Sequence, residues 1–254
     1  MINILLHGCK GRMGRVLESF IASSANMRLA AGVDRTIDGT EAYPAFASLA
    51  ECNVSADVVL DFSHFSAVPD LLEYCVKNKL PAVIATTSLD DEAEMAVRRA
   101  AAEIPIFYSF NMSLGINVIA NSLQYIVPVL EADFDVEIIE KHHNKKVDSP
   151  SGTAVMLAEA INESCAVPKE FIYGRHGRED SCHRGQMGIH SVRGGTIPGE
   201  HTIIFAGEDE IIEIKHTALS RNIFAKGAII AAEFINGRNP GLYTMRELVA
   251  AGSR

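Results

Sequence analysis

Two adjacent histidines and a lysine, His142-His143-x-x-Lys146, stand shortly before Pro150-Ser151-Gly152-Thr153. These are the parts of a proton-transfer site placed beside an anion pocket. Histidine titrates near neutrality, and a lysine that is partly desolvated among other cations can lose its proton well below its free pKa. If Ser151 caps a helix, the N–H groups of Gly152 and Thr153, with the Thr153 hydroxyl, suit a carboxylate, and Gly152 lets it come close. The plainer alternative is a solvated polar loop, since short His/Lys clusters are common on surfaces. A metal site fits poorly, because adjacent histidines on an extended chain point opposite ways and no third ligand is evident.

A second constellation is Gly8-Cys9-Lys10-Gly11-Arg12-Met13-Gly14, directly after the apolar run Ile2–His7. A parallel strand that passes through a glycine-rich turn into a helix presents bare N–H groups and the positive end of the helix dipole to a pyrophosphate. Gly8 would make the turn, Gly11 would admit phosphate, and Gly14 would let the helix pack on the sheet. The spacing is GxxGxxG rather than GxGxxG, which alone is a weak signal. It is strengthened by Asp34, 20 residues beyond Gly14, where an acidic side chain bonds the ribose hydroxyls. Asp34 favours NADH, whereas Arg35 can accept the 2′-phosphate of NADPH and Lys10 can reach a phosphate; use of both cofactors is expected.

These residues need rigid elements to hold them. Apolar runs at Ile2–His7, Leu29–Val33, Asp57–Asp61, Ala82–Ala85 and Ile104–Tyr108 alternate with helical stretches at Gly11–Ser23, Val68–Lys77 and Asp90–Ala102. That alternation predicts a parallel sheet covered on both faces. Beyond Asn111 the texture changes. Ser113–Leu130 and Ser151–Glu163 read as helices, Asp135–Glu140 as a strand before a polar loop to Pro150, and His190–Arg193, His201–Phe205 and Glu210–His216 as strands. The last two strands flank a turn-like joint, as in a hairpin. Asn222–Ile235 is a closing amphipathic helix. The fold class is α/β: a Rossmann-type parallel-sheet dinucleotide-binding domain of residues 1–112 and 222–254, plus a second α+β domain of residues 113–221 with an open mixed sheet.

Composition narrows the function. The 254 residues are 48% hydrophobic and 22% charged, as expected of a soluble globular protein. No apolar run reaches the roughly 18 residues of a membrane span, and the N-terminus does not read as a signal peptide. A net charge of -9 disfavours nucleic acid or an anionic membrane as partner. Cys9, Cys52, Cys75, Cys165 and Cys182 show no metal-site spacing and an odd count, which fits a reducing cytoplasm.

Taken in order, several motifs resemble the signatures of dihydrodipicolinate reductases. They are Gly8-x-x-Gly-Arg-Met-Gly14, Glu140-x-His-His-x-x-Lys-x-Asp-x-Pro-Ser-Gly-Thr-Ala154, Ala85-Thr86-Thr87, Asn111–Asn117, Gly199-Glu200-His201-Thr202 and Ser220-Arg221. The likeness spans essentially the whole chain, and the long His-His segment is its specific part. It implies that His142 is the proton donor/acceptor and Lys146 the proton donor, and that His143, Gly152 and Thr153 hold the carboxylates of a small dicarboxylate substrate. It also places Gly8, Cys9, Lys10, Gly11, Arg12, Met13, Asp34, Arg35, Ala85, Thr86, Thr87, Ser109, Phe110, Asn111 and Met112 around NADH or NADPH. The implied reaction is reduction of 4-hydroxy-tetrahydrodipicolinate on the diaminopimelate route to lysine, by a homotetramer joined through its second domain. Two domains joined near Asn111 and again near Arg221 suggest hinge closure around the bound pair. Lys10 stands where many members have glycine, and Ser149 where alanine is usual. Two rivals are another imine or amino-acid dehydrogenase, which should lack the His-His-x-x-Lys run before Pro-Ser-Gly-Thr, and a non-catalytic NAD(H) sensor, which has no reason to keep His142 with Lys146.

Overall fold

The apolar run Ile2–His7 forms the central strand β1 of a computed structural model that describes residues 1–177 and 183–252. Cys182 lies outside the described residues. Contacts divide the chain into two units, Met1–Leu114 with Arg221–Arg254, and Gly115–Ser220.

In the first unit β1 leads to α1 (Arg12–Ala22), β2 (Met27–Val33), β3 (Ala45–Phe46), β4 (Val58–Asp61), α2 (Val68–Asn78), β5 (Ala82–Ile84), α3 (Asp91–Ala101) and β6 (Pro105–Tyr108). The seven-stranded sheet runs β3–β2–β1–β4–β5–β6–β12, where β12 is Gly241–Tyr243, and every pair is parallel. Alternation along each strand splits the core between the two faces. Ile4, Leu6, Leu60 and Val83 pack with α1, with α6 (Asn222–Ile235) and with α7 (Met245–Gly252), whereas Leu5, Val59 and Ile84 pack with α2 and α3. Both faces are therefore buried, which is why these strands read as unbroken apolar runs. Helix α6 presents Ala225, Ala228, Ala231 and Ala232 to this core, small side chains that let it lie close. The chain order reverses between β1 and β4, and their carboxyl ends form the crevice where open α/β sheets bind ligands.

The second unit holds α4 (Leu114–Leu130), beginning directly after Ser113, then β7 (Asp135–His142), α5 (Gly152–Ser164), β8 (Glu170–Ile172), β9 (Gln186–Arg193), β10 (Glu200–Ala206) and β11 (Ile211–Thr217). Its sheet order is β11–β10–β7–β9–β8, antiparallel through β11, β10 and β7 and parallel through β7, β9 and β8. Val136, Ile138, Ile189, Ile203 and Phe205 meet Leu123 and Val127 of α4 and Leu157 and Ile161 of α5 in one core.

Strand β7 is longer than the sequence implies. It continues beyond Glu140 because Lys141 and His142 pair with Val192 and Arg193 of β9, so the backbone of His142 is fixed in the sheet and not in a loop. No helix among the described residues is long and apolar enough to cross a membrane.

Candidate active site

The glycine loop is built as a close-fitting turn. Gly8 has φ +81°, and a Cβ there would lie 2.6 Å from the Phe62 carbonyl oxygen. Gly11 N–H donates to Gly8 O at 3.1 Å and closes the turn. Gly11 is also the N-cap of α1, and no side chain among the described residues caps that helix. Its first-turn N–H groups are thus open to an anion, and a Cβ on Gly11 would meet only Gly8 O, at 3.1 Å. At Gly14 a Cβ would lie 2.3 Å from Cys9 O and 2.4 Å from Gly8 O, so the helix sits directly on the turn. Gly14→Ala should lower the unfolding free energy, and with it the denaturant midpoint, by about 1–3 kcal/mol of stability through overpacking, although alanine is the better helix former by about 1 kcal/mol. A raised midpoint would refute the close packing.

Above this turn lies a cavity of about 410 Å³ lined by Arg12, Met13, Ala85, Thr86, Thr87, Phe110 and Met112, all singled out in the sequence, together with Phe62, Ser63 and Phe224. Ser109 Oγ donates to Asn111 O at 2.9 Å, and Asn111 Oδ1 accepts from Ser113 N–H at 3.0 Å, which fixes the exit from β6. The Cys9 side chain faces the core, so only its backbone borders the loop mouth. Asp34 closes β2, where its carboxylate accepts from the Lys10 N–H at 3.1 Å and from the Thr36 N–H and hydroxyl at 2.9 and 2.7 Å. Burial pushes Asp34 up, but those Thr36 bonds and the Lys10 N–H outweigh it and hold the carboxyl below its usual range. Arg35 is exposed, and the Lys10 ammonium is engaged by carboxylates rather than open.

The sequence does not announce the residue that supports the cavity from behind Thr86 and Ser63. Asp61, fully buried at the end of β4, accepts from Thr86 Oγ1 at 2.6 Å and from Ser63 N–H at 3.3 Å, and pairs with His7 Nδ1 at 2.8 Å. It ties β1, β4 and the turn after β5 together at the switch point. The available signal was a polar side chain ending each of two largely apolar runs, His7 on Ile2–His7 and Asp61 on Val58–Asp61. The open helix start, the tight glycine turn, Asp34 and a cavity at the switch point together fit a dinucleotide.

In the second unit, the period of two on β7 puts Val136, Ile138, Glu140 and His142 on one face. Glu140 is fully buried and is satisfied from three sides. Arg193 of β9 forks onto both of its oxygens at 2.7 Å, His142 Nδ1 lies 2.6 Å from Oε2, and Ser151 N–H donates to Oε1 at 3.1 Å. Burial pushes Glu140 up, yet the Arg193 fork and His142 prevail and bring it down to about 2. An ionised Glu140 makes His142 Nδ1 the donor, which leaves Nε2 as the atom that exchanges protons. A Cβ at Gly199, whose φ is +149°, would lie 3.1 Å from that Nε2; glycine there keeps it uncovered. Burial, opposed by Glu140 and aided by Lys146 and Arg193, holds His142 below the usual histidine range.

The anion pocket beside it matches in part. Ser151 caps α5, its hydroxyl accepting from Ala154 N–H at 3.2 Å and touching His201 Nε2 at 2.8 Å. A Cβ at Gly152 would meet nothing within 4 Å, so the space before the helix start is open. Lys146 is not surrounded by cations alone: the turn closed by Lys146 N–H to His143 O at 3.1 Å brings its Nζ to 2.7 Å from Asp148 Oδ1. Burial pushes Asp148 up, but Lys146 and the Gly152 N–H hold it below the usual range. A carboxylate thus already lies against the lysine and the helix start. His143 Nδ1 and His201 Nδ1 are buried and find no partner among the described residues.

Burial, with His142 close by, brings His201 down to about 4. A histidine depressed in the fold is bound more tightly by protons when unfolded, so stability is full above pH 6.5 and falls between 6.5 and 4. Glu140, also depressed, adds a further loss between its ordinary value and about 2. Urea unfolding of the second unit should therefore lose about 2–3 kcal/mol between pH 7.5 and 4.5 through His201, and His201→Gln should flatten that slope. An equal slope in the variant would assign the effect elsewhere.

Residues 2–112 match the model "Dihydrodipicolinate reductase, N-terminus", and residues 115–249 match "Dihydrodipicolinate reductase, C-terminus". The chain belongs to the dihydrodipicolinate reductase family. A 4-hydroxy-tetrahydrodipicolinate reductase of Caldanaerobacter subterraneus subsp. tengcongensis is 47% identical over 99% of this chain and 100% of its own. One from Clostridium novyi is 45% identical over 98% of each. In fold, the chain is similar to a dipicolinate-bound dihydrodipicolinate reductase from Paenisporosarcina sp. TG-14, with a TM-score of 0.81 and 24% identity over 96% of this chain and 97% of that one. The diaminopimelate dehydrogenase of C. glutamicum shares the architecture more loosely, at a TM-score of 0.58 and 15% identity over 98% and 95%.

Proposed function

We propose that this chain is a 4-hydroxy-tetrahydrodipicolinate reductase of the diaminopimelate route to lysine, using NADH or NADPH. The observation that carries the reading is His142 paired with a buried Glu140 that also accepts from the Ser151 N–H at the open start of α5, in a chain that also holds a dinucleotide crevice. A reduced nicotinamide supplies the hydride when bound.

The chain's own groups do the rest. The N–H groups of Gly152 and Thr153, with His143, grip the substrate's carboxylates and fix the ring's orientation; Asp148 yields its place at Lys146 as they arrive. Hydride addition leaves an electron-rich enamine on the substrate, and His142 Nε2 or Lys146 Nζ delivers the proton to it. One hydride and one proton enter, and water leaves. Glu140 stabilises the protonated imidazole, and Arg193 holds Glu140 in place. Asp61 and His7 hold Thr86 for the cofactor.

The exposed apolar side chains Val192 and Ile211 on the second sheet support a homotetramer joined there, and the unpaired cysteines Cys9, Cys52, Cys75 and Cys165 support a cytoplasmic site. The test of the activity is a coupled assay in which the upstream synthase generates the unstable substrate and reduced cofactor is followed optically. Cofactor oxidation that requires both synthase and substrate precursors is the expected result; tight cofactor binding without turnover would overturn the reading.

A further inference from the structure

Lys10 stands in the glycine loop, yet its ammonium points to carboxylates of the segment after β2. Its Nζ lies 2.6 Å from Glu41 Oε1 and 3.2 Å from Asp38 Oδ1. Both acids are fixed in turn: Glu41 Oε2 accepts from Gly39 N–H at 3.1 Å, and Asp38 Oδ1 accepts from Thr40 N–H at 3.1 Å and Thr40 Oγ1 at 2.6 Å. The Glu41 side chain is only 4% exposed. Asp34, the acid expected at the ribose, shares the same corner and also accepts from the Lys10 N–H at 3.1 Å. The corner therefore holds three carboxylates against Lys10 and the exposed Arg35. A 2′-phosphate set beside Asp34 would meet this surplus of negative charge, and to recruit Lys10 it would have to displace the cation from both Glu41 and Asp38.

We infer that Glu41 and Asp38 are specificity-determining residues which, by holding Lys10, make the chain prefer NADH over NADPH. This rests on the dinucleotide reading of the glycine loop. Charge at the adenosine end acts on binding and not on hydride transfer, so affinity is the proper readout, measured without substrate.

The experiment is calorimetric titration of the intact chain with NADH and with NADPH, for the wild type, D38N, the double variant D38N/E41Q, and the double variant carrying Lys10→Ala. The wild type should bind NADH at least about 10-fold more tightly, since the additional phosphate of NADPH meets like charge. In D38N/E41Q the NADPH dissociation constant should fall about 10-fold while that for NADH moves less than about twofold, and adding Lys10→Ala should cancel the gain. D38N alone, at an acid whose side chain is 57% exposed, should shift NADPH in the same direction by about threefold. Equal or tighter NADPH binding by the wild type, or variants that leave the ratio unchanged, would overturn the inference while leaving the dinucleotide site standing. Failure of both nucleotides to bind would overturn the site itself, and the inference with it.

Discussion

Lys146→Ala should lower kcat by about 10²–10⁴-fold, the contribution of a positioned proton donor, while the dissociation constant for NADH moves less than about twofold. The two expectations separate chemistry from binding. Lys146 lies in the second unit, in the turn before α5, whereas the glycine loop and Asp34 belong to the first. Removing the ammonium also frees Asp148, a carboxylate held by it at 2.7 Å, and leaves that charge facing the substrate's own. KM for the substrate should therefore rise together with the fall in kcat. Lys146→Arg restores the charge but not a compact, transferable proton; it should recover KM and little of kcat. Stopped-flow and steady-state measurements on the three proteins check this, and full turnover in the alanine variant would remove Lys146 from the mechanism.

Glu140→Ala should destabilise the second unit by about 3–5 kcal/mol, the usual cost of removing one partner of a buried ion pair. Three groups would lose their acceptor at once: the Arg193 guanidinium, the Ser151 N–H that opens α5, and His142 Nδ1. Glu140→Gln keeps the shape and one acceptor oxygen, so the loss in urea unfolding should be smaller. Its effect on turnover should be comparatively large, because an amide can offer His142 either a donor or an acceptor and no longer fixes which ring nitrogen carries the proton. The pH profile of kcat should shift in this variant, a change that a purely structural role for Glu140 would not produce. A loss below about 1 kcal/mol in Glu140→Ala would mean that the buried network is not what holds this end of the sheet.

Strands β1, β2, β4, β5 and β6 of the first unit were legible because burial on both faces writes each of them as a continuous apolar run, and because the glycine turn and Asp34 fall at fixed distances along a strand–helix–strand unit. The elements that escaped notice were those too short or too polar to show a period: Ala45–Phe46 and Gly241–Tyr243 at the two edges of the first sheet, Glu170–Ile172 at the edge of the second, and the final helix Met245–Gly252. The end of β7 was misread as loop because Lys141 and His142 carry charge or polarity that suits a turn, and only pairing with β9 and β10 keeps them in the sheet.

At the site, residues adjacent in sequence were easy to group, and partners far apart were not. Arg193 is 53 positions from Glu140, and Asp61 is 54 from His7; no local spacing announces such pairs. The same limit made Lys10 look like a phosphate ligand, since the acids that hold its ammonium come from the segment after the next strand.

The most direct test is a crystal structure of the chain with oxidised cofactor and an unreactive cyclic dicarboxylate. The carboxylates should lie at Gly152, Thr153 and His143, with His142 Nε2 and Lys146 Nζ within about 3 Å of the ring or one water away from it. Both side chains turned outward into bulk solvent, away from the nicotinamide and the ring, would contradict it.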